Sequence, residues 1–139
     1  MTTLYEQDCC AWVEVQTELL RKGYFDKIDI ENIIEELISV GNSERNKLVS
    51  HLVILMLHLL KIKYQPIMHT RSWDLSIKSA KHSALRTLKK NPSLKSSLPE
   101  LFEDAYFHAR LEAAKETGQE EETFPEICPW TVEEILKEE

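Results

Sequence analysis

At 139 residues, with 42% hydrophobic and 29% charged side chains, the chain has the balance of one soluble globular domain, spanning 1–139 with a short C-terminal tail at 119–139. A chain of this length buries roughly 65–70% of its unfolded surface, so stability requires neither a disulfide nor a metal. Three Gly, five Pro and three Cys exclude collagen-like, low-complexity and disulfide-scaffold classes.

Cys9, Cys10 and Cys128 are odd in number and lack CxxC spacing, which reads as reduced thiols in the cytoplasm. The opening MTTLYEQD has no basic or apolar leader region, so no signal peptide is expected. The longest apolar run, 52–60, is about half a membrane span and contains His58, so no membrane partner is expected.

The net charge of −7 hides a pattern. Residues 1–45 hold 4 basic and 10 acidic side chains, 46–95 hold 10 and 1, and 96–139 hold 3 and 13. A basic middle therefore lies between acidic ends. The first expectation is that the acidic helices pack beside it and neutralise it; the alternative is a surface offered to nucleic acid or an acidic protein. The acidic total argues against strong non-specific nucleic-acid binding, which depends on phosphate neutralisation.

Five helices are expected and no strand pattern competes with them. The first opens on a Thr3/Glu6 capping box, turns Leu4, Trp12, Val15 and Leu19 inward with Asp8 on the same face, and ends before Gly23. The second starts at Asp29 with an Ile30, Ile33, Ile34, Leu37, Ile38 stripe and ends at Gly41. The third, 43–64, is apolar nearly all round between 52 and 60, the mark of a bundle centre; Gln65-Pro66 stops it. Leu52, Leu55, Met56 and Leu59 should be almost completely buried there.

Ser72 caps a fourth helix, 73–90, with Trp73, Ile77, Ala80, Ala84 and Leu88 inward. Its outer face carries Lys78, Lys81, His82, Arg86 and Lys89; Lys78, Lys81, Arg86 and Lys89 form the candidate binding face. A Ser97/Glu100 box opens a fifth helix ending at Gly118, and Thr131/Glu134 caps one short terminal turn. The expectation is an all-α, up-and-down helical bundle.

Two residues sit awkwardly in that pattern. His58 is the one polar side chain within the apolar stretch, and a buried imidazole needs a hydrogen-bond partner. Asp8 on an apolar face needs a cation, with Arg71, His58 and Lys61 the available ones. Glu31 and Glu35 stand one turn apart beside the second stripe. No Glu-x-x-His occurs, so the di-metal bundle motif is missing and neither metal nor cofactor is expected. Arg45-Asn46 and His51 match the Arg-Asn-x4-His spacing of the HEPN ribonucleases, in which Arg and His would hold a phosphate and move a proton. No phosphate loop, nucleophile elbow or zinc spacing is present.

The runs LYEQDCCAWVEVQTELLRKG, IDIENIIEELISVGNSER, LxxLMLHLLKIKYQP, RSW and TFPEICPWT, in that order, resemble the Domain of Unknown Function 29 family of bacterial proteins, frequent in cyanobacteria. The resemblance spans Leu4 to Ile135 and implies an all-helical domain without an assigned activity. Positions matching its pattern are Asp8, Trp12, Glu31, Asn32, Glu35, Gly41, Glu44, His58, Lys61, Gln65, Pro66, Arg71, Trp73, Cys128 and Pro129. His51 lies outside the pattern, and Cys9-Cys10 departs from it.

Asp8, Glu31, Glu35, His58, Lys61 and Arg71 thus form a candidate polar cluster, either a network that fixes helix register or a small site. The leading expectation is an interaction module for a protein or nucleic acid, meeting the basic face of the fourth helix. The alternative is an enzyme using the polar cluster, such as a HEPN-like ribonuclease or another phosphoester-acting activity.

Overall fold

A computed structural model of the chain describes residues 1–137. It is all helical: α1 Leu4–Gln7, α2 Cys9–Arg21, α3 Ile30–Tyr64, α4 Arg71–Lys90, α5 Leu98–Thr117 and α6 Val132–Ile135. Short 3-10 turns at Pro66–Met68, Pro92–Ser97 and Glu121–Thr123 join them. The residues form two compact units, Met1–Asn42 and Ser43–Glu139, with 30–42 of α3 counted in the first and 43–64 in the second.

In the first unit the expected first helix is two helices. Asp8 breaks it with an extended backbone, φ −152° and ψ 89°, and its carboxylate accepts from the Ala11 amide at 3.0 Å as N-cap of α2. The competing role prevailed because a short acceptor side chain satisfies an orphan amide at a helix start. Asp8 is exposed and requires no cation. Upstream, Thr3 Oγ1 caps α1 by accepting from the Glu6 amide at 3.3 Å. Gly23, at φ 78°, closes α2 in the left-handed conformation that lacks a Cβ penalty.

α2 meets the start of α3 through polar atoms. The Trp12 indole donates to Asp29 Oδ2 at 3.0 Å, and Asn32 Nδ2 donates to the same oxygen at 2.7 Å. Gln16 Oε1 accepts from the Asp29 amide at 2.8 Å. Trp12 and Gln16 are buried, and the Tyr5 ring packs edge-on against Trp12 at 4.7 Å. The expected inward stripe is mostly outward: Ile30, Ile34, Leu37 and Ile38 are exposed, and only Ile33 is partly covered. The face bearing Asp29, Asn32, Ile33 and Glu36 turns to α1 and α2 instead, because Asp29 answers Trp12 and Gln16 of α2 and Glu36 answers Tyr5 of α1.

Gly41 does not end its helix. An interior glycine costs about 1 kcal/mol against alanine, too little to stop a helix that continues on both sides with no proline.

The second unit is a bundle whose direction follows from three bonds. Glu44, at the start of the 43–64 part of α3, meets Lys90 at the end of α4, so these helices run antiparallel. Lys61 and Gln65, at the end of α3, reach Glu116 and Thr117 at the end of α5, so α3 and α5 run the same way. Leu48, Leu52, Leu55, Met56 and Leu60 of α3 are at most 1% exposed. They share one buried cluster with the small residues Ala80 and Ala84 of α4 and Ala105, Ala109 and Ala113 of α5.

Leu59 is only partly buried and Ile54 is 40% exposed, so α3 is covered on most sides rather than all. Two starts also differ from expectation. Thr70, not Ser72, precedes α4, and Ser97 makes no side-chain cap because the 3-10 turn before it runs straight into α5. Thr131 caps α6 as expected, accepting from the Glu134 amide at 3.1 Å.

Within 119–137 the chain is anchored to the bundle at Phe124. Phe124 enters the core at 1% exposure, edge-on to Tyr64 at 5.1 Å. Tyr106 donates to the Pro125 carbonyl at 2.5 Å, and Arg110 Nε to the Phe124 carbonyl at 3.2 Å.

Candidate functional site

α4 divides into two faces by helical period. Ala80, Ala84, Thr87 and Leu88 are buried, while Lys78, His82, Arg86 and Lys89 are exposed and Lys81 is partly so. The helix carries six Lys or Arg and one Asp, a local charge of +5 in a chain of −7. The acidic α5 does not neutralise this face. Its Glu116 pairs with Lys61 at 3.2 Å and its Asp104 meets His108 at 3.5 Å. Among the described residues, Lys78, Lys81, Arg86 and Lys89 make no ion pair.

Two hollows flank the face and share Arg86. One, of about 520 Å³, is lined by His82, Leu85, Arg86, Leu88, Lys89 and Lys95. Lys95 reaches it because the 3-10 turn Pro92–Ser97 buries Leu94 and folds back beside the end of α4. The other, of about 220 Å³, lies between α3 and α4 and is lined by Glu44, Lys47, His51, Ser83, Arg86, Thr87 and Lys90.

Glu44 is the one anion among those cations. It accepts from Lys90 at 3.0 Å, Asn91 at 3.0 Å and Lys47 at 3.4 Å. The bond from Lys90, then that from Asn91, hold its carboxyl below the ordinary glutamate range. Burial, with Lys47 adding to it, pushes the His51 imidazole below its ordinary value and favours the neutral ring. Arg45 is exposed and Asn46 with it, on the helical turn that precedes His51.

The six residues of the candidate polar cluster are distributed over both units. In the first, Asp8 caps α2, and Glu31 and Glu35 are exposed beside the outward stripe. In the second, His58 bonds within its own helix, Nδ1 lying 2.8 Å from the Ile54 carbonyl. A carbonyl only accepts, so Nδ1 carries a proton. His58 is partly exposed, not enclosed as expected; the i−4 carbonyl supplies the partner that the core would otherwise have to provide. Lys61 is clamped between Glu116 and the Trp73 ring, whose centroid is 4.5 Å away. Arg71 is exposed in the first turn of α4.

Asp29 is the tightly held carboxylate of the first unit, a residue noted in the sequence only as a helix start. The Asn32 amide and then the Trp12 indole, both donating to it, lower its pKa. Among the described residues no three His, Cys, Asp or Glu side chains converge so as to share a metal ion. Sequence reasoning also missed Lys47, Lys90 and Lys95. The breaker Asn91-Pro92 was the available signal for Lys95, since a proline turn after a helix can return the chain alongside it.

These observations define an all-helical protein with a basic, grooved helix face; no helix among the described residues is long and apolar enough to cross a membrane. The chain belongs to the family described as Domain of unknown function DUF29, whose model matches residues 4–139. No curated protein and no solved structure gives a significant match.

Proposed function

We propose that this protein is an interaction module whose basic α4 face takes an acidic, partly apolar segment of another protein. The observation that carries this reading is the hollow in which His82, Arg86, Lys89 and Lys95 surround Leu85 and Leu88. Four nitrogen-bearing side chains with no hydrogen bond or ion pair among the described residues attract carboxylates, and two leucines accept an apolar anchor. A polyphosphate fits less well. Outside α4 the chain carries −12, which opposes the long-range attraction on which nucleic-acid binding runs.

The test is fluorescence anisotropy with the full chain and three probes. These are an acidic peptide containing Leu or Phe, the same peptide with its apolar residues replaced by Ser, and a single-stranded oligonucleotide of equal charge. The apolar acidic peptide should bind best and weaken with salt. Arg86→Glu and Lys89→Glu should each weaken it at least tenfold with an unchanged melt. Equal binding of all three probes, or tightest binding of the oligonucleotide with a slope of about 0.7 per contacted phosphate, would refute an acidic protein partner.

A further inference from the structure

The first unit has an unusual inside and outside. Every residue of the main apolar core belongs to the second unit, while the first buries Trp12 and Gln16. At 42 residues it is near the size below which a chain rarely builds a sufficient core. Yet it is not poor in apolar residues. Ile30 is 57% exposed, Ile34 49%, Leu37 66% and Ile38 53%.

Those four residues follow i, i+4, i+7, i+8 and so line one face of α3, about 12 Å long at 1.5 Å per residue. The opposite face is committed to α1 and α2: Glu36 accepts from Tyr5 of α1, and Asp29, held by Asn32, bonds Trp12 and Gln16 of α2, so the apolar side is the uncommitted one. A contiguous exposed apolar stripe on a soluble protein marks an interaction surface.

Charge identifies the occupant. Met1–Asn42 holds nine acidic and three basic side chains, a balance of −6. Glu31 and Glu35 are exposed one turn apart along the edge of the stripe. A second copy would bring two such edges together and gain apolar contact against like-charge repulsion. A helix with an apolar stripe flanked by Lys or Arg gains both terms. We infer that the Ile30, Ile34, Leu37, Ile38 face of α3 docks a basic amphipathic helix of another protein. This surface is separate from the α4 face, and its test does not depend on the reading proposed for that face.

Three synthetic helical peptides serve as probes: Leu at i, i+3, i+4, i+7 with Lys and Arg between; the same pattern with Glu; and a scramble of the basic one. Calorimetry on the full chain should show the patterned basic peptide binding at least tenfold more tightly than either control. Leu37→Asp and Leu37→Ser should each lose at least tenfold of that affinity with an unchanged melt, since Leu37 is largely exposed. The Asp variant is the sharper one, because added negative charge would strengthen any purely electrostatic association. Three results overturn the inference: equal binding of the scramble, affinity retained in both variants, or a concentration-dependent dimer in sedimentation that Leu37→Asp abolishes. The last would make a second copy the occupant.

Discussion

Replacing Phe124 by Ala should unfold more than the segment that carries it. The ring is 1% exposed, packed edge-on to Tyr64, and it sits between two backbone clamps: Tyr106 on the Pro125 carbonyl and Arg110 on its own. Truncating a buried Phe costs about 3–5 kcal/mol, the lost transfer energy plus the cavity that remains. The surrounding core is close-packed and relaxes only partly around a cavity, so the cost should be at least about 3 kcal/mol. For a unit the size of Ser43–Glu139, about 4–8 °C is lost per kcal/mol, so the melting temperature should drop by at least about 12 °C. Ile127→Ala is the control in the same stretch: at 84% exposure it should change stability by less than about 0.5 kcal/mol. Thermal scans and urea melts, both followed by circular dichroism, measure the two variants. Equal, small effects from the two variants would refute the placement of Phe124 in the core.

Leu55→Ala, at the centre of α3, should cost about 2–5 kcal/mol in the same melt, whereas Ile54→Ala on the exposed side should cost well under half as much. Asp29 and Glu44 have lowered pKa values, so the stability they add is full above the ordinary carboxylate range and is lost as pH falls through their folded values. Urea melts below pH 5 should therefore fall less steeply for Asp29→Asn and for Glu44→Gln than for the unaltered chain. Burial pushes the Cys128 thiol above its ordinary value, so it should react with an alkylating reagent more slowly than exposed Cys10 at pH 7.5, read by mass spectrometry.

How legible the fold was depended on whether a residue's role was local or tertiary. The α3 core at Leu52, Leu55 and Met56 could be read directly, since an apolar run of that density has few places to go in water, whereas Leu59 on the same run is only partly buried. The Thr3 and Thr131 caps were equally plain, because each acts within four residues of itself. The stripe from Ile30 to Ile38 was legible as a stripe and misleading as to its direction. Periodicity says that one face is apolar, not that the face is covered; Trp12, Gln16 and Tyr5 claimed the other side through hydrogen bonds. Asp8 and His58 were flagged as polar residues needing partners, and both found them within four residues, in the Ala11 amide and the Ile54 carbonyl. The α4 face was visible as a run of cations, but the hollow was not, since Lys95 joins it only through the return of the Pro92–Ser97 turn.

His51 gives the proposed binding face a pH signature. It lines the groove between α3 and α4 together with Arg86 and Lys90, and burial plus Lys47 holds its pKa below the ordinary value near 6.5. In the free protein the lowered value means that the unfolded chain takes up the proton first. The stability His51 contributes is therefore full above about pH 6.5 and declines as pH falls toward its folded value. An acidic segment bound across Arg86 reverses the local balance. Its carboxylates add negative charge beside an imidazole otherwise faced by Lys47, Arg86 and Lys90 against Glu44 alone. The imidazole pKa then rises, binding takes up a proton, and affinity increases as pH falls from 7.5 to 6. Titrations of the apolar acidic peptide at those two pH values, in two buffers of different ionisation enthalpy, measure the proton uptake directly. His51→Gln should bind with the same affinity at both, while the unaltered chain tightens toward pH 6. A pH dependence that survives in His51→Gln would place the titrating group elsewhere, with His82, in the neighbouring hollow, the next to test.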